Sequence, residues 1–231
     1  KEARIYFPEV EIHSLLEIVM SMTPTPRRMI SAALSSRPWL LDGRCFTHCR
    51  RPRLFWTSWP LQPHECFDII AHEDYDELVV RVQKFDHSVW VKEGWQWPAD
   101  NAELLPTLTR VVRRKHPLKD PAGLAQPSFG AIERWELDDF SRQVYNYEDR
   151  VMLFNPLTGA RRLLNVTECE ILMGFDANYI LGGFKKITGR VLDECRSFLG
   201  NTFCVPVVAW ILSHCWCASS TPRSCALQKL D

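Results

Sequence analysis

The pattern of apolar and polar residues predicts a strand, a helix and two further strands at the start of the chain. Residues 10–19, VEIHSLLEIV, begin with period-two alternation and become continuously apolar, as is typical of a buried strand. The segment TPTPRRMISAAL has prolines suited to a first helical turn, followed by apolar residues at helical spacing. PWLLDG at 38–43 and RLFWTSW at 53–59 predict two more strands. This alternation with short connections predicts an α/β unit with a parallel sheet.

The pattern changes after Pro60. Residues 64–78 are acidic and contain no lysine or arginine, whereas 109–123 are rich in both. Between them, residues 79–97 alternate valine, aromatic and polar residues, which predicts antiparallel strands. We therefore expect 60–158 to form a small β-rich lobe, separate from the α/β portion. The tryptophans at 90, 95 and 97 are expected in its core.

An α/β pattern returns at Arg161. NVTECEILMGF predicts a helix with Asn165 and Thr167 as possible caps. LGNTFCVPVVAWIL, at 199–212, is a Gly-Asn turn followed by an apolar run, which predicts a buried helix or strand. Residues 218–231 have no periodicity and are predicted to be disordered.

Composition narrows the class of protein. The 231 residues are 46% hydrophobic and 24% charged with a net charge of zero, because the acidic and basic segments cancel. No run of about eighteen apolar residues predicts a membrane span. Nine cysteines are too few for a disulfide scaffold and predict reduced thiols in an intracellular compartment. Two cysteine–histidine groups lack zinc spacing, so no metal is predicted; they are Cys45, His48, Cys49 and His214, Cys215, Cys217, Cys225.

Two segments of the first α/β portion resemble motifs of the DNA (cytosine-5) methyltransferases. LLEIVMSM resembles the Glu-Asn-Val segment of motif VI, with Glu17 at its glutamate and Ile18 in place of the asparagine. CRRPRLFW resembles the Gln-x-Arg-x-Arg of motif VIII, with Arg51 and Arg53 at its arginines and Cys49 in place of the glutamine.

Two later segments complete the resemblance, in the family's order. RLLNVTECEILMGF resembles motif IX, although Asp176 stands where proline usually follows, and LGNTFCVPV resembles motif X. The resemblance implies a partial Rossmann-like methyltransferase sheet, interrupted by a β-rich target recognition domain. The boundaries it implies are 1–59 for the first catalytic part, 60–158 for the recognition domain, 159–217 for the second catalytic part and 218–231 for the tail.

The resemblance also implies roles for individual residues. In this family a thiolate attacks C6 of a flipped cytosine, and negative charge develops on N3 and O2. Glu17 is placed near N3 and Arg53 near O2, with Arg51 structural or bound to phosphate. S-adenosylmethionine is the implied cofactor and double-stranded DNA the implied partner, in the nucleus. The implied cofactor residues are Asn201, Thr202 and Val205, and the implied DNA-binding residues are Arg110, Arg113, Arg114, Lys115 and Arg162.

Two family elements expected before Glu17 do not occur in these 231 residues: the Gly-rich cofactor loop and the Pro-Cys nucleophile. Cys45 and Cys49 follow motif VI, and Cys66 lies in the insert, so none takes the nucleophile's place. The chain alone is therefore predicted to be inactive, with an N-terminal half or a protein partner completing the enzyme.

Three readings remain open. The chain is part of an active methyltransferase, an inactive DNA-binding or regulatory relative, or a plain α/β interaction domain. Ile18, Cys49 and Asp176 favour the second. In the third, the strand-end arginines are solvated or bridged to Asp42 and Glu65, and Glu17 caps a helix.

Overall fold

The structure is a computed structural model that describes residues 12–47, 49–80, 91–98, 127–140 and 142–218. The described residues fall into two compact units. The first takes its residues from Lys1–Phe46, Pro52–Gln83 and Pro206–Asp231, and the second from Thr47–Arg51 and Lys84–Val205. The regular elements, in chain order, are β1 Leu15–Val19, α1 Pro24–Leu34, β2 Trp39–Asp42, β3 Pro52–Thr57, β4 Phe67–Ala71, β5 Asp76–Val80, α2 Phe129–Leu137, β6 Leu153–Phe154, β7 Arg161–Arg162, α3 Val166–Leu172, α4 Gly189–Asn201 and α5 Val205–Ala218.

The first unit is built on a five-stranded sheet with the order β1-β3-β2-β5-β4. β3 is antiparallel to both of its neighbours, β1 and β2. β2 and β5 are parallel, and β5 and β4 are antiparallel. The fold class is therefore mixed α/β, and the expectation of a parallel sheet is wrong for most of the strand pairs.

The connections explain this mixture. β1 and β2 run in the same direction, since both oppose β3, and α1 connects them as the strand–helix–strand pattern predicts. A parallel neighbour requires a crossover of a dozen or more residues. Residues 43–51, between β2 and β3, are too few for that, so β3 returns antiparallel and lies between the two parallel strands.

The predicted boundary at residue 60 is also wrong. β4 and β5 lie in the same sheet as β1–β3, and β5 pairs with β2 from Trp39↔Asp76 to Leu41↔Leu78. Three acidic residues of this segment pair with arginines from residues 27–37: Asp74 with Arg27 at 3.0 Å, Glu73 with Arg28 at 2.6 Å and Asp76 with Arg37 at 3.0 Å. Charge segregation here stabilises the end of the sheet and does not mark a new lobe.

The core of the first unit forms where α1 covers the sheet. Leu40, Leu54 and Trp56 are buried together, and Ile18 and Ile30 are among the partly buried residues that pack against them. The Trp56 indole N–H donates to Ser31 Oγ at 3.0 Å, which gives the buried ring its polar partner.

α5 belongs to the first unit from Pro206 onward. The ring of Trp210 lies 5.9 Å from that of Phe46 and 5.3 Å from that of Phe67. The Trp59 indole N–H donates to the Ile211 carbonyl at 3.2 Å. The apolar run after Asn201 is therefore the helix that the sequence allowed, but the return to the first unit occurs at 206 and not at 159.

The second unit is mainly helical where it is described. Ser128 caps α2 by accepting from the Ala131 N–H. Trp135, Tyr147 and Met152 form its small core with Ala131. Residues 91–98 contain only an isolated bridge, Gln96↔Phe154, and β6 and β7 have two residues each. The expectation of a β-rich recognition domain is wrong for the described part of 84–158, because its core is built around α2 and 3-10 turns.

α3 begins at the predicted cap. Asn165 accepts from the Glu168 N–H, and Glu168 accepts from the Asn165 N–H in return, forming a capping box. Thr167 instead hydrogen-bonds the Asn178 side chain at 2.9 Å. Cys169 and Leu172 in α3, and Met173 directly after it, are buried.

One helical stretch in the described residues, Gly189–Cys215, is long and apolar enough to cross a membrane by length and composition. It contains α4 and α5, which are separated at residues 202–204. Each helix alone spans about 20 Å, less than the roughly 30 Å of a bilayer core. The stretch is therefore weak evidence for a membrane span.

Candidate functional site

Glu17 and Arg53 meet on one face of the sheet in the first unit. The register of β1 and β3 places Glu17 opposite Phe55 and Val19 opposite Arg53, so the two charged residues are diagonal neighbours. Arg53 Nε lies 3.3 Å from Glu17 Oε1, and Arg53 also donates to the Pro52 carbonyl at 2.9 Å. The two side chains are therefore in contact, and the strands that carry them are antiparallel.

The pair is half-buried, with side-chain exposures of 25% for Glu17 and 13% for Arg53. A carboxyl group and a guanidinium side by side can form hydrogen bonds with a planar polar ring. Ile18 alternates to the opposite face, where it packs on the core of Leu54 and Trp56. The residue at the family's asparagine position is therefore a core residue here.

The side chain of Arg51 is buried and hydrogen-bonded to the backbone. It is 3% exposed, and both terminal nitrogens donate to the Gly200 carbonyl at 3.3 Å. It also donates to the Thr202 carbonyl. These carbonyls lie at the C-terminal end of α4. A cation there donates to the last carbonyl groups of the helix and interacts favourably with the negative end of the helix dipole. Arg51 thus joins the segment resembling motif VIII to the one resembling motif X.

The three implied cofactor residues lie at the end of α4 and directly after it. Asn201 is its last residue and is exposed, and the Thr202 carbonyl accepts from Arg51. The Val205 N–H donates to the Met173 carbonyl at 2.9 Å. These backbone contacts fix the path of the chain, and binding of S-adenosylmethionine by these residues stays a prediction.

Of the five implied DNA-binding residues, Arg162 alone lies within the described part of the chain; Arg110, Arg113, Arg114 and Lys115 lie outside it. Arg162 makes a bidentate ion pair with Glu168, at 2.6 and 2.7 Å, and lies 4.4 Å above the Trp95 ring. Through its ion pair with Glu168, Arg162 stabilises the capping box of α3. Its role in DNA binding stays a prediction.

The carboxylate of Glu168 is strongly held. It is 3% exposed, and burial alone would raise its pKa. The hydrogen bonds from Arg162 and from the backbone N–H groups of Asn165 and Lys92 outweigh burial, so the pKa lies below its usual value. Glu168 therefore carries a negative charge at neutral pH.

The sequence reasoning overlooked Glu170, Arg142 and Arg196. Glu170 is fully buried, and its carboxylate accepts from the backbone N–H groups of Asn178 at 2.7 Å and of Ile180 at 2.8 Å. The sequence signal for Glu170 was its position in the middle of an apolar helical segment, where a charged residue indicates a buried partner. Arg142 and Arg196 are isolated in the sequence, and only the fold brings them into one cavity.

No disulfide joins the cysteines whose side chains the structure describes, which are Cys45, Cys49, Cys66, Cys169, Cys195, Cys204 and Cys215. Burial raises the pKa of the Cys45 thiol, whose Sγ lies 3.6 Å from the Leu78 carbonyl oxygen. Both ring nitrogens of His214 lie within 3.0 Å of backbone carbonyl oxygens. No group of three His, Cys, Asp or Glu residues in the described ranges is placed to hold a metal ion. His48 and Cys225 lie outside those ranges, and only the backbone of Cys217 is described.

No protein-family model matches this sequence, and no curated protein matches it either.

Proposed function

We propose that this chain is the C-terminal part of a DNA (cytosine-5) methyltransferase, in which Glu17 and Arg53 bind the target base. One observation supports the proposal above the others: the ion pair at 3.3 Å joins the two charged residues that the resemblance assigns to one cytosine ring. The two residues come from separate strands, β1 and β3, whose register puts them on one face.

The chemistry suits the pair. When a thiolate attacks C6 of cytosine, negative charge develops on N3 and O2 of the ring. With a proton taken up from solvent as the ion pair opens, the Glu17 carboxyl group would donate to N3, and the Arg53 guanidinium would stabilise the charge on O2. A base that contacts both side chains would enter between them, so the ion pair would open on binding.

The remaining parts of the reaction lie outside these residues. The thiolate and the Gly-rich cofactor loop would come from the complete chain or from a partner. Asn201, Thr202 and Val205 would then bind S-adenosylmethionine, the methyl donor. Arg110, Arg113, Arg114, Lys115 and Arg162 would bind DNA, in the nucleus. The proposal thus assigns this chain base recognition and DNA binding.

The second candidate function is that of an inactive DNA-binding or regulatory relative. It is favoured by Ile18, which takes the place of a polar loop residue and packs in the core. Such a protein would bind DNA through the same basic segment and would not transfer a methyl group.

DNA binding, which both candidates share, is tested by titrating this chain with duplex DNA at several salt concentrations. The variant Arg113→Ala, Arg114→Ala, Lys115→Ala should bind more weakly, and each lost phosphate contact should lower the log–log salt slope by about one unit. The matched control removes three exposed cations elsewhere: Arg28→Ala, Lys185→Ala, Lys186→Ala. Equal affinity of parent and first variant at every salt concentration would show that the basic segment does not bind DNA.

A further inference from the structure

The second unit contains a cavity of about 1270 Å³ whose walls carry several cations. It lies between the end of α2, β7 and the first turns of α4. The cations that line it are Lys92, Arg134, Arg142, Arg161, Arg162, Arg190 and Arg196. Such a concentration of positive side chains around one cavity requires negative charge nearby or a bound anion.

Most of these arginines have carboxylate partners. Asp149 pairs with Arg134 at 2.6 Å and with Arg161 at 3.4 Å. Glu168 neutralises Arg162, and Glu194 pairs with Arg190 at 3.0 Å. Three carboxylates thus serve these four arginines.

Arg142 is different. Its backbone carbonyl accepts from the Trp135 indole N–H at 2.7 Å, which fixes the start of its side chain. No ion pair or hydrogen bond links its guanidinium to any described residue. Burial and the charge of Arg196 lower the pKa of Arg142. Arg142 is half-buried, and a half-buried cation near a second cation has an unfavourable electrostatic environment.

Arg196 does not resolve this conflict. Its only ion-pair partner in the described chain is Asp193, at 3.4 Å, and its Nε is buried without a hydrogen-bond partner. Asp138, the acidic group that acts on Arg142, already accepts from the Tyr147 hydroxyl at 2.6 Å. Burial raises the pKa of the nearby Cys169 thiol to about 11, so that thiol is neutral. The acidic residues that line the cavity are Asp138, Asp139 and Asp193, and the guanidinium of Arg142 has no hydrogen bond to any of the three.

We propose that Arg142 and Arg196 bind a phosphate group that enters this cavity. Guanidinium groups match phosphate oxygens with paired hydrogen bonds, and the anion would relieve the repulsion between the two arginines. The phosphate comes either from a nucleic acid backbone or from a free phosphate. The first source rests on the proposed function; the second does not.

Thermal unfolding of the whole chain in phosphate and in chloride, at equal ionic strength, tests the site. The parent's unfolding temperature should rise with the logarithm of phosphate concentration. Arg142→Met and Arg196→Met should each weaken phosphate binding about tenfold or more, since each removes a charge-assisted hydrogen bond. In chloride, Arg196→Met should be no less stable than the parent, because it removes a repulsion.

Two controls keep this result specific. Arg28→Met removes an exposed cation of the first unit and should leave the phosphate effect unchanged. Arg142→Lys keeps the charge without the fork, so it should bind phosphate more weakly than the parent while remaining folded. Equal stabilisation of parent and variants would indicate a general salt effect and would overturn the proposal, as would no stabilisation at all.

Duplex DNA then identifies the source. Weaker DNA binding by Arg142→Met and Arg196→Met, with competition by free phosphate, assigns the site to the DNA backbone. Phosphate binding with unchanged DNA affinity in the variants assigns it to a small phosphate. If the parent binds phosphate and no DNA, the proposed function fails and the phosphate site stands.

Discussion

Arg53 Nε lies 3.3 Å from Glu17 Oε1 across two antiparallel strands, on a face where the pair is partly open to solvent. Charged pairs of this kind contribute little to folding, because solvent screens their attraction. A pair of opposite charges on a sheet face therefore has two explanations, structural or functional, and stability measurements separate them.

Arg53→Met and Glu17→Gln should each lower the free energy of unfolding by about 1 kcal/mol or less, as expected for a partly exposed cross-strand pair. Urea unfolding measures this directly. A loss above about 3 kcal/mol would mean that the pair chiefly maintains the fold.

Arg51→Lys should be much more damaging, although it keeps the positive charge. The buried guanidinium donates to two carbonyl groups, of Gly200 and Thr202, and an ammonium group cannot reproduce that geometry. We expect a loss of about 2–4 kcal/mol in the free energy of unfolding. The matched control is Arg53→Lys, which should be close to the parent in stability. Equal effects at the two positions would contradict the different roles assigned to them.

Glu168→Gln should make stability less dependent on pH in acid. The folded-state pKa of Glu168 is lowered, so its contribution is complete above the ordinary value of 4.5 and is lost as the pH falls through the folded-state value. The variant should be about 2–3 kcal/mol less stable at pH 7, with a difference that shrinks below pH 4.5. Unfolding across that range measures it. Glu194→Gln, in an exposed ion pair, should show little change.

Local pattern predicted the elements well where neighbouring residues decide them. The prolines begin α1, Asn165 caps α3, and the apolar runs give β2 and β3. Strand order could not be predicted from local pattern. β3 lies between β1 and β2, and the residues that connect β2 to β3 have no pattern that indicates this position. Acidic composition also suggested a new domain at residues where β4 and β5 extend the same sheet.

The site residues also fall into those that the sequence predicts and those that only the fold shows. Glu17 and Arg53 were identified through their motifs, and their contact follows from the pairing of two adjacent strands. The burial of Arg51 depends on the end of α4, far away in the sequence, and only the fold shows it. Arg142 and Arg196 have no local signal, since an isolated arginine in a sequence is usually a solvated surface residue.

Single-turnover transfer of a methyl group from S-adenosylmethionine to duplex DNA, measured with the complete protein, tests the central claim most directly. Arg53→Ala should lower the rate of the chemical step about a hundredfold or more, with little change in DNA affinity, because the guanidinium meets charge that develops only during attack on the ring. Near-normal transfer by Arg53→Ala, or no transfer by the parent protein, would contradict the role given to the Glu17–Arg53 pair.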